Sequence, residues 1–204
     1  MIFPFLLKAV IISLSGVMAP GPITAITVSK GAENPKSGAM IAIGHGVVEF
    51  PLMILIVVGF GRFFELNWVK VVIGILGGLF LLNMALGLLK NVRDFKIGSL
   101  DQKYSPFQSG IVLTIANPYF LIWWATIGAV LITGAYQFGL FGFIAFAIVH
   151  WSCDFIWYSF LSSLSFKGGQ FFGKRMQKVL FIFCGVFLLF FSGKFIYDAM
   201  LIVF

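Results

Sequence analysis

Residues 104–153 decide the fold class and read YSPFQSGIVLTIANPYFLIWWATIGAVLITGAYQFGLFGFIAFAIVHWSC. This stretch contains no Asp, Glu, Lys or Arg. A transmembrane helix needs about 20 apolar residues, so the stretch is long enough for two membrane spans. The run Gly134-Ala135-Tyr136-Gln137-Phe138-Gly139 has the glycine-bounded composition of a turn. We therefore predict two membrane helices that meet at residues 134–139.

The composition of the whole chain agrees with a membrane protein. Of the 204 residues, 60% are hydrophobic and 10% are charged, and the mean hydropathy is +1.05. A soluble domain carries about 25% charged residues because its surface faces water. Membrane β-strands would alternate in polarity, but the run Phe-Leu-Leu-Phe-Phe at residues 187–191 does not. The sequence therefore predicts an all-α integral membrane protein.

The remaining apolar runs complete a set of six predicted spans. They cover residues 9–29, 37–61 and 71–89 in the first half, and the first part of 104–153, about 140–164 and about 179–203 in the second. No room is left for a separate soluble domain. We predict one transmembrane domain over residues 1–204, with two repeats at 1–90 and 104–204 joined by a linker at 91–103.

The basic residues between the spans predict the orientation. One side of the membrane receives ten of them: Lys30, Lys36, Lys90, Arg93, Lys96, Lys103, Lys167, Lys174, Arg175 and Lys178. The other side receives three, Lys8, Arg62 and Lys70. Basic residues are retained in the cytoplasm, so both termini are expected outside. The net charge of +7 is thus interpreted as a topology signal, and no nucleic-acid partner is expected.

The two halves of the chain resemble each other. The only two histidines open the segments His-Gly-Val-Val-Glu-Phe at 45–50 and His-Trp-Ser-Cys-Asp-Phe at 150–155. Proline-containing segments at 19–22 and 116–119, and Gly-x-Phe-Leu-Leu-type segments at 78–82 and 185–189, occur in the same order. Because each half has three spans, the second half enters the membrane upside down. We predict a 3+3 inverted repeat, the plan of many secondary transporters.

Prolines predict that the first helix of each half is broken. Pro20, Gly21 and Pro22 interrupt span 1, and Asn117 and Pro118 interrupt span 4. A broken span exposes half-helix ends whose partial charges can hold a carboxylate, an ammonium or a coupling ion. A simple proline kink is the alternative interpretation of either break.

Each half also carries an acid and a histidine within its second span. Glu49 lies about 12 residues, or about 18 Å, into its helix, and Asp154 lies at a similar depth. His45 and His150 precede these acids by four residues and therefore share their helix faces. A carboxylate at this depth is costly unless it is paired, hydrated or protonated. Such pairs can exchange protons, as proton-driven transport requires.

Two other interpretations of these four residues stay open. The pairs could be satisfied polar contacts between helices, or His45, Glu49, His150 and Asp154 could converge on a divalent metal ion, since imidazole and carboxylate suit Mn, Zn or Ni. No cofactor is indicated, because Cys153 and Cys184 form no CxxC and no phosphate-binding loop is present.

With these features the chain resembles the LysE/RhtB family of amino-acid exporters over essentially its whole length. The matching features are Pro20-Gly21-Pro22, Gly31, Gly38, Gly44, Glu49 and Asn117-Pro118. The resemblance implies export of an amino acid or similar small metabolite from the cytoplasm across the plasma membrane, driven by a proton or cation gradient. It implies a site at the helix breaks and the adjoining acids.

Two departures from the family pattern limit what the resemblance implies. The family commonly has Gly-Asp where Val48-Glu49 stands, and often a basic residue where Tyr119 follows Asn-Pro. The basic amino acids that founding members export are therefore not assigned to this chain. Members of the wider superfamily export metal ions, so a metal exporter is the alternative function, and a membrane scaffold without transport is another. Compact six-span transporters often dimerise, so a homodimer is an open alternative to a monomer.

Overall fold

The computed structural model describes residues 2–59, 66–91, 104–171 and 173–203, and all regular structure within these ranges is helical. In chain order the helices are α1 (Ile2–Val17), α2 (Pro22–Glu33), α3 (Ser37–Val57), α4 (Asn67–Asn91), α5 (Pro106–Ile115), α6 (Pro118–Trp123), α7 (Ala129–Tyr136), α8 (Gly139–Phe171) and α9 (Gly173–Val203). A π-helical turn, Trp124–Gly128, joins α6 to α7.

Five helical stretches in the described ranges are long and apolar enough to cross a membrane. They are Ser37–Val57, Asn67–Gly87, Pro118–Tyr136, Gly139–Gly168 and Ile182–Val203. Helices α1 and α2 together make a sixth candidate, which bends by 76° between Val17 and Pro22. The short apolar helix α5 precedes the stretch that begins at Pro118. These spans confirm the predicted all-α membrane architecture, and the inverted relation of the two halves stays a prediction.

The helix ends differ from the predicted bounds in a consistent way. The predicted turn at 134–139 is shorter, because α7 continues to Tyr136 and α8 begins at Gly139, whose φ of +69° suits a glycine. Helices α8 and α9 extend well into the basic segment between them. The helices extend beyond the apolar runs of the sequence, because backbone hydrogen bonding continues past the residues that contact lipid. Hydropathy therefore locates the membrane spans but underestimates the lengths of the helices.

The helix order defines two faces of the molecule if each of the six stretches crosses once. The terminal face carries Ile2, Val203 and the α7–α8 turn, and the basic face carries the α2–α3 turn and the junction of α8 with α9. Lys30, Lys36, Lys90, Lys167, Lys174, Arg175 and Lys178 belong to helices or turns near the basic face. Arg62, Arg93, Lys96 and Lys103 lie outside the described residues. The count of ten against three therefore stays a sequence-based prediction.

Helices α4 and α9 pack closely and antiparallel. Gly74 faces Ala199, and Gly78 faces Ile196. The Ser192 hydroxyl donates a 2.8 Å hydrogen bond to the Gly78 carbonyl oxygen. The small-xxx-small pattern at Gly74 and Gly78 thus serves helix packing within the chain.

Helix α3 lies at the centre of the fold, between α5 and α8. A Cβ atom at Gly44 would overlap the Phe107 carbonyl oxygen of α5, and one at Gly38 would overlap the Tyr158 carbonyl oxygen of α8. Backbones this close leave no room for a water path between the helices. The basic-face half of α3 is therefore tightly sealed against both neighbours.

Large apolar side chains cover the outer surface of the bundle. Phe3, Val130 and Phe141 are more than 70% exposed. A water-soluble protein rarely exposes so many large apolar groups together, whereas lipid tails solvate them. The polar groups turn inward, where the candidate site lies.

Candidate functional site

The four ionisable residues predicted from the repeat come together in one buried cluster. His45 and Glu49 project from α3, and His150 and Asp154 project from α8. Their exposed fractions are 4%, 1%, 5% and 3%, respectively. The i, i+4 spacing places each pair on one helix face, and the packing of α3 against α8 brings the two pairs together.

Glu49 is the centre of this His–acid cluster. Its Oε1 atom lies 3.2 Å from Nε2 of His45 and 3.2 Å from Nε2 of His150. Asp154 is more distant, with 3.7 Å between Oδ1 and His45 Nε2 and 3.7 Å between Oδ2 and His150 Nε2. A single carboxylate oxygen therefore links the two halves of the chain.

The second nitrogen of each histidine is held by a hydroxyl group from the other half. His45 Nδ1 lies 2.7 Å from Thr114 Oγ1 on α5, and His150 Nδ1 lies 2.6 Å from Ser13 Oγ on α1. Thr114 donates its own proton to the Gly110 carbonyl, and Ser13 donates its proton to the Ala9 carbonyl. Each hydroxyl oxygen is thus left to accept a hydrogen bond, so we assign the Nδ1–H tautomer to both histidines.

This assignment decides what the cluster can do chemically. With Nδ1 protonated, a neutral His45 or His150 presents the Nε2 lone pair to the Glu49 carboxylate. Two acceptors at 3.2 Å are unfavourable unless a proton or a cation lies between them. Two imidazolium rings and two carboxylates would balance in charge, and so would two neutral rings, two carboxylates and a divalent cation. The geometry is that of a site for protons or for a metal ion.

Two cavities join the cluster to the helix breaks. The first, the central cavity of about 60 Å³, is lined by all four cluster residues and by Asn117. At about 10–15 Å³ for each water molecule it has room for about four to six. The second, the break cavity of about 50 Å³, is lined by Pro20, Gly21, Pro22 and Asn117. Asn117 lines both cavities, as do Gly16, Val17, Ile23, Tyr119 and Tyr158.

The breaks themselves have the local structure that their sequences favour. Proline begins α2 at Pro22 and begins α6 at Pro118, where its missing N–H costs no hydrogen bond. The Asn117 side chain caps α6 by accepting from the Tyr119 backbone N–H at 3.1 Å. Pro118 itself faces away from the two cavities and packs against Gly77 of α4. Of the nine residues predicted for the site, it alone lines neither cavity.

Sequence reasoning missed the groups that surround the cluster. Ser13 and Thr114 orient the histidines, and the Trp124 ring lies 4.9 Å from the His150 ring, edge to face. The Tyr158 ring meets His45 in the same way at 6.1 Å. Ser13 lies seven residues before its break and Thr114 lies three before its own, so the repeat offset does not align them.

A metal ion fits the donor set of the cluster. One ligand atom each from His45, Glu49 and Asp154 lies within 4.8 Å of the other two. Glu49 Oε2 and Asp154 Oδ2 are buried and have no hydrogen-bond partner among the described residues. A histidine whose Nδ1–H is held by an oxygen is the usual arrangement around a metal. The same features suit proton binding, so geometry alone leaves both chemistries open.

The comparison with protein families identifies the chain. The model of the LysE type translocator family matches residues 14–199, which is nearly the whole chain. No curated protein and no solved structure matches it. The matched region contains both helix breaks and all four cluster residues, and the fold around them is a bundle of membrane-spanning helices. The chain therefore belongs to the LysE type translocator family and is a multi-pass membrane transporter.

Proposed function

We propose that this translocator exports an amino acid or a similar small zwitterionic metabolite from the cytoplasm across the plasma membrane, in exchange for protons. One observation carries the proposal. The His–acid cluster and both helix breaks line two adjoining cavities that share Asn117. Solute and protons could therefore compete for one enclosed space, as coupled exchange requires.

The breaks supply the groups that recognise a zwitterion. The N-terminus of α2 lies at Pro22 beside the break cavity, and its backbone N–H groups and positive dipole end favour a carboxylate. On the other side of the adjoining cavity, Glu49 and Asp154 would attract an ammonium group. The two ends of an α-amino acid would thus meet complementary charge.

The His–acid cluster supplies the coupling. When protons occupy Nε2 of His45 and His150, the histidines satisfy Glu49 and leave no negative charge for an ammonium group. When those protons leave, the carboxylates are free to bind it. Competition of this kind makes the protein carry either protons or the solute, which is the requirement for antiport.

The direction of transport follows from the orientation predicted by the basic residues. With the basic face in the cytoplasm, protons would enter from the terminal face and the solute would leave there. Each histidine binds a hydroxyl from the opposite half of the chain. Movement of one half against the other would therefore break these two contacts and expose the cluster alternately to the two sides.

The test is efflux from proteoliposomes loaded with a labelled mixture of the twenty amino acids, with the outside made acidic. We expect efflux by the wild type and loss of gradient-driven efflux in Glu49→Gln, which removes the charge that both histidines contact. Glu33→Gln is the matched control, because Glu33 is exposed at the end of α2. Efflux by Glu49→Gln at the wild-type rate would contradict the proposed role of the cluster.

A divalent metal exporter is the second candidate, favoured by the convergence of His45, Glu49 and Asp154 within 4.8 Å. The same proteoliposomes loaded with Mn²⁺, Zn²⁺ or Ni²⁺ distinguish the two functions. Metal efflux that is lost in both Glu49→Gln and His45→Ala, with no amino-acid efflux by the wild type, would establish the metal exporter instead.

A further inference from the structure

A third, larger cavity lies beside the central cavity. This lateral groove has a volume of about 590 Å³ and lies between α4, the α6–π segment and α9. It is bordered by the first turns of α4, at Lys70 and Gly74, and by the last turns of α9, at Asp198 and Ile202. Both borders are near the terminal face, so the groove lies on that side of the His–acid cluster.

The groove contains an ion pair on a membrane-spanning helix. Lys194 Nζ lies 2.8 Å from Asp198 Oδ2, and the two side chains are 50% and 46% exposed. Both residues belong to the apolar stretch Ile182–Val203. Charged groups exposed to lipid within a span are costly, and those that occur usually face a water-filled path. A cation and an anion side by side also match the carboxylate and ammonium groups of a zwitterion.

The wall between the groove and the cavities is one side chain thick. Tyr119 and Trp123 line both the central cavity and the lateral groove. Phe191 lines both the break cavity and the lateral groove. The rings of Tyr119 and Phe191 meet edge to face, with 5.8 Å between their centroids. A rotation of these two side chains would join the spaces.

The backbone of the wall contains the π-helical turn Trp124–Gly128. Its first residue, Trp124, packs against His150, whereas Ala125 and Thr126 line the lateral groove. Single π-helical turns are frequent at functional sites, and they offer an alternative hydrogen-bond register to the helix that contains them. The wall is thus connected directly to the cluster on one side and to the groove on the other.

On the basic side of the cluster, the described part of α3 packs backbone against backbone on both of its neighbours. There the backbones of α3 and α5 touch at Gly44 and Gly110, and those of α3 and α8 touch at Gly38. A side-chain rotation cannot open a contact between backbones, whereas it can open the Tyr119–Phe191 contact.

We propose that the lateral groove is the exit of the transport route to the terminal face. Tyr119 and Phe191 form its gate, and the Lys194–Asp198 pair binds the zwitterion as it leaves. The identity of the solute rests on the proposed function, whereas the route and its gate stand on the packing alone.

Thiol labelling tests the gate without any assumption about the solute. In a protein with Cys153 and Cys184 replaced by Ser, Val17→Cys places one thiol where the two cavities meet. A charged, membrane-impermeant methanethiosulfonate is added at the terminal face. We expect Tyr119→Ala and Phe191→Ala to speed labelling by about tenfold or more, because each removes half of the gate. Phe183→Ala is the control, since Phe183 lies on the same helix as Phe191 and is 60% exposed. Equal labelling in the gate and control variants would overturn the route.

A second thiol reports what fills the groove. Thr126→Cys lies on its wall, and we expect it to react with the same reagent at a rate near that of Val58→Cys in the exposed terminal-face turn. No reaction would mean that lipid fills the groove, and a disulfide-linked dimer would mean that a second copy covers it. Either result would overturn the proposal.

Exchange measurements test the ion pair. The amino acid that wild-type proteoliposomes exchange fastest is used as the solute, and its half-saturating concentration is measured outside and inside. We expect Lys194→Met and Asp198→Asn to raise the external half-saturating concentration by about tenfold, since each removes a charged hydrogen-bond partner. The internal half-saturating concentration should not change. Lys8→Met, at an exposed lysine of α1, is the control. An unchanged external value would overturn the binding role.

These outcomes separate the two proposals. If the wild type exchanges no amino acid, the proposed function and the zwitterion assignment both fail, while labelling of Val17→Cys still decides whether the groove is the exit.

Discussion

Removal of the Ser13 hydroxyl should disable transport without disturbing the fold. Ser13 Oγ accepts from His150 Nδ1 at 2.6 Å, and both residues are buried. Ser13→Ala leaves the Nδ1–H donor without that partner, which costs about 1–3 kcal/mol. The ring can avoid this cost by moving its proton to Nε2, where it can donate to Glu49 Oε1. That nitrogen would then already carry a proton and could no longer accept one.

The size of the effect follows from the same free energy. A preference of about 1–3 kcal/mol for the wrong tautomer corresponds to about a 5- to 150-fold loss of the reactive form. We therefore expect proton-driven efflux from proteoliposomes to fall by about that factor. Ser15→Ala is the matched control, because Ser15 lies on the same helix and its exposed hydroxyl donates to the Ile12 carbonyl within the helix. Wild-type efflux in Ser13→Ala would refute the assignment of the tautomer.

Three further predictions concern neighbouring features. Asp154→Asn should reduce efflux less than Glu49→Gln does, because Asp154 lies 3.7 Å rather than 3.2 Å from the histidines; equal losses in the same efflux assay would contradict this order. Gly44→Val should destabilise the protein by about 1–3 kcal/mol or more, because the valine side chain would overlap the Phe107 carbonyl oxygen. In detergent, the variant should therefore unfold at a lower temperature than the wild type. An unchanged unfolding temperature would show that α3 and α5 are further apart. Gly21→Ala should fold normally, since the nearest atom to its Cβ would be 3.9 Å away. Any change in the solute concentration that half-saturates transport would then report on the break cavity alone. A loss of folding would show that the break needs glycine.

The helix breaks and the four ionisable residues could be predicted from sequence for a simple physical reason. Proline lacks an N–H group and favours a helix start, as at Pro22 and Pro118, although Pro51 stands inside α3. The i, i+4 spacing fixes a shared helix face. These local rules need no knowledge of how the helices pack. They placed Glu49 beside His45 and Asp154 beside His150 before any packing was known.

The contacts between halves could not be predicted in this way. The hydrogen bond of Glu49 to His150, and those of the histidines to Ser13 and Thr114, depend on how α3 and α8 pack against each other and against α1 and α5. Local spacing carries no information about helix rotation. The 76° bend between α1 and α2 and the π-helical turn at Trp124–Gly128 are likewise consequences of packing.

The inverted repeat stays a prediction. His45 of the first half binds Thr114 of the second, and His150 of the second half binds Ser13 of the first. These contacts join the two halves, but Ser13 and Thr114 stand at different distances from their helix breaks and are not equivalent repeat positions. An inverted repeat requires the two halves to superpose after a two-fold rotation about an axis in the membrane plane.

In the proposed mechanism the His–acid cluster exchanges protons for the exported solute. The direct measurement is the internal pH of proteoliposomes, followed with a trapped pH-sensitive dye while a labelled amino acid leaves. We expect the interior to acidify in step with efflux by the wild type, and neither signal in Glu49→Gln. Wild-type efflux without any change of internal pH, at every imposed gradient, would contradict it.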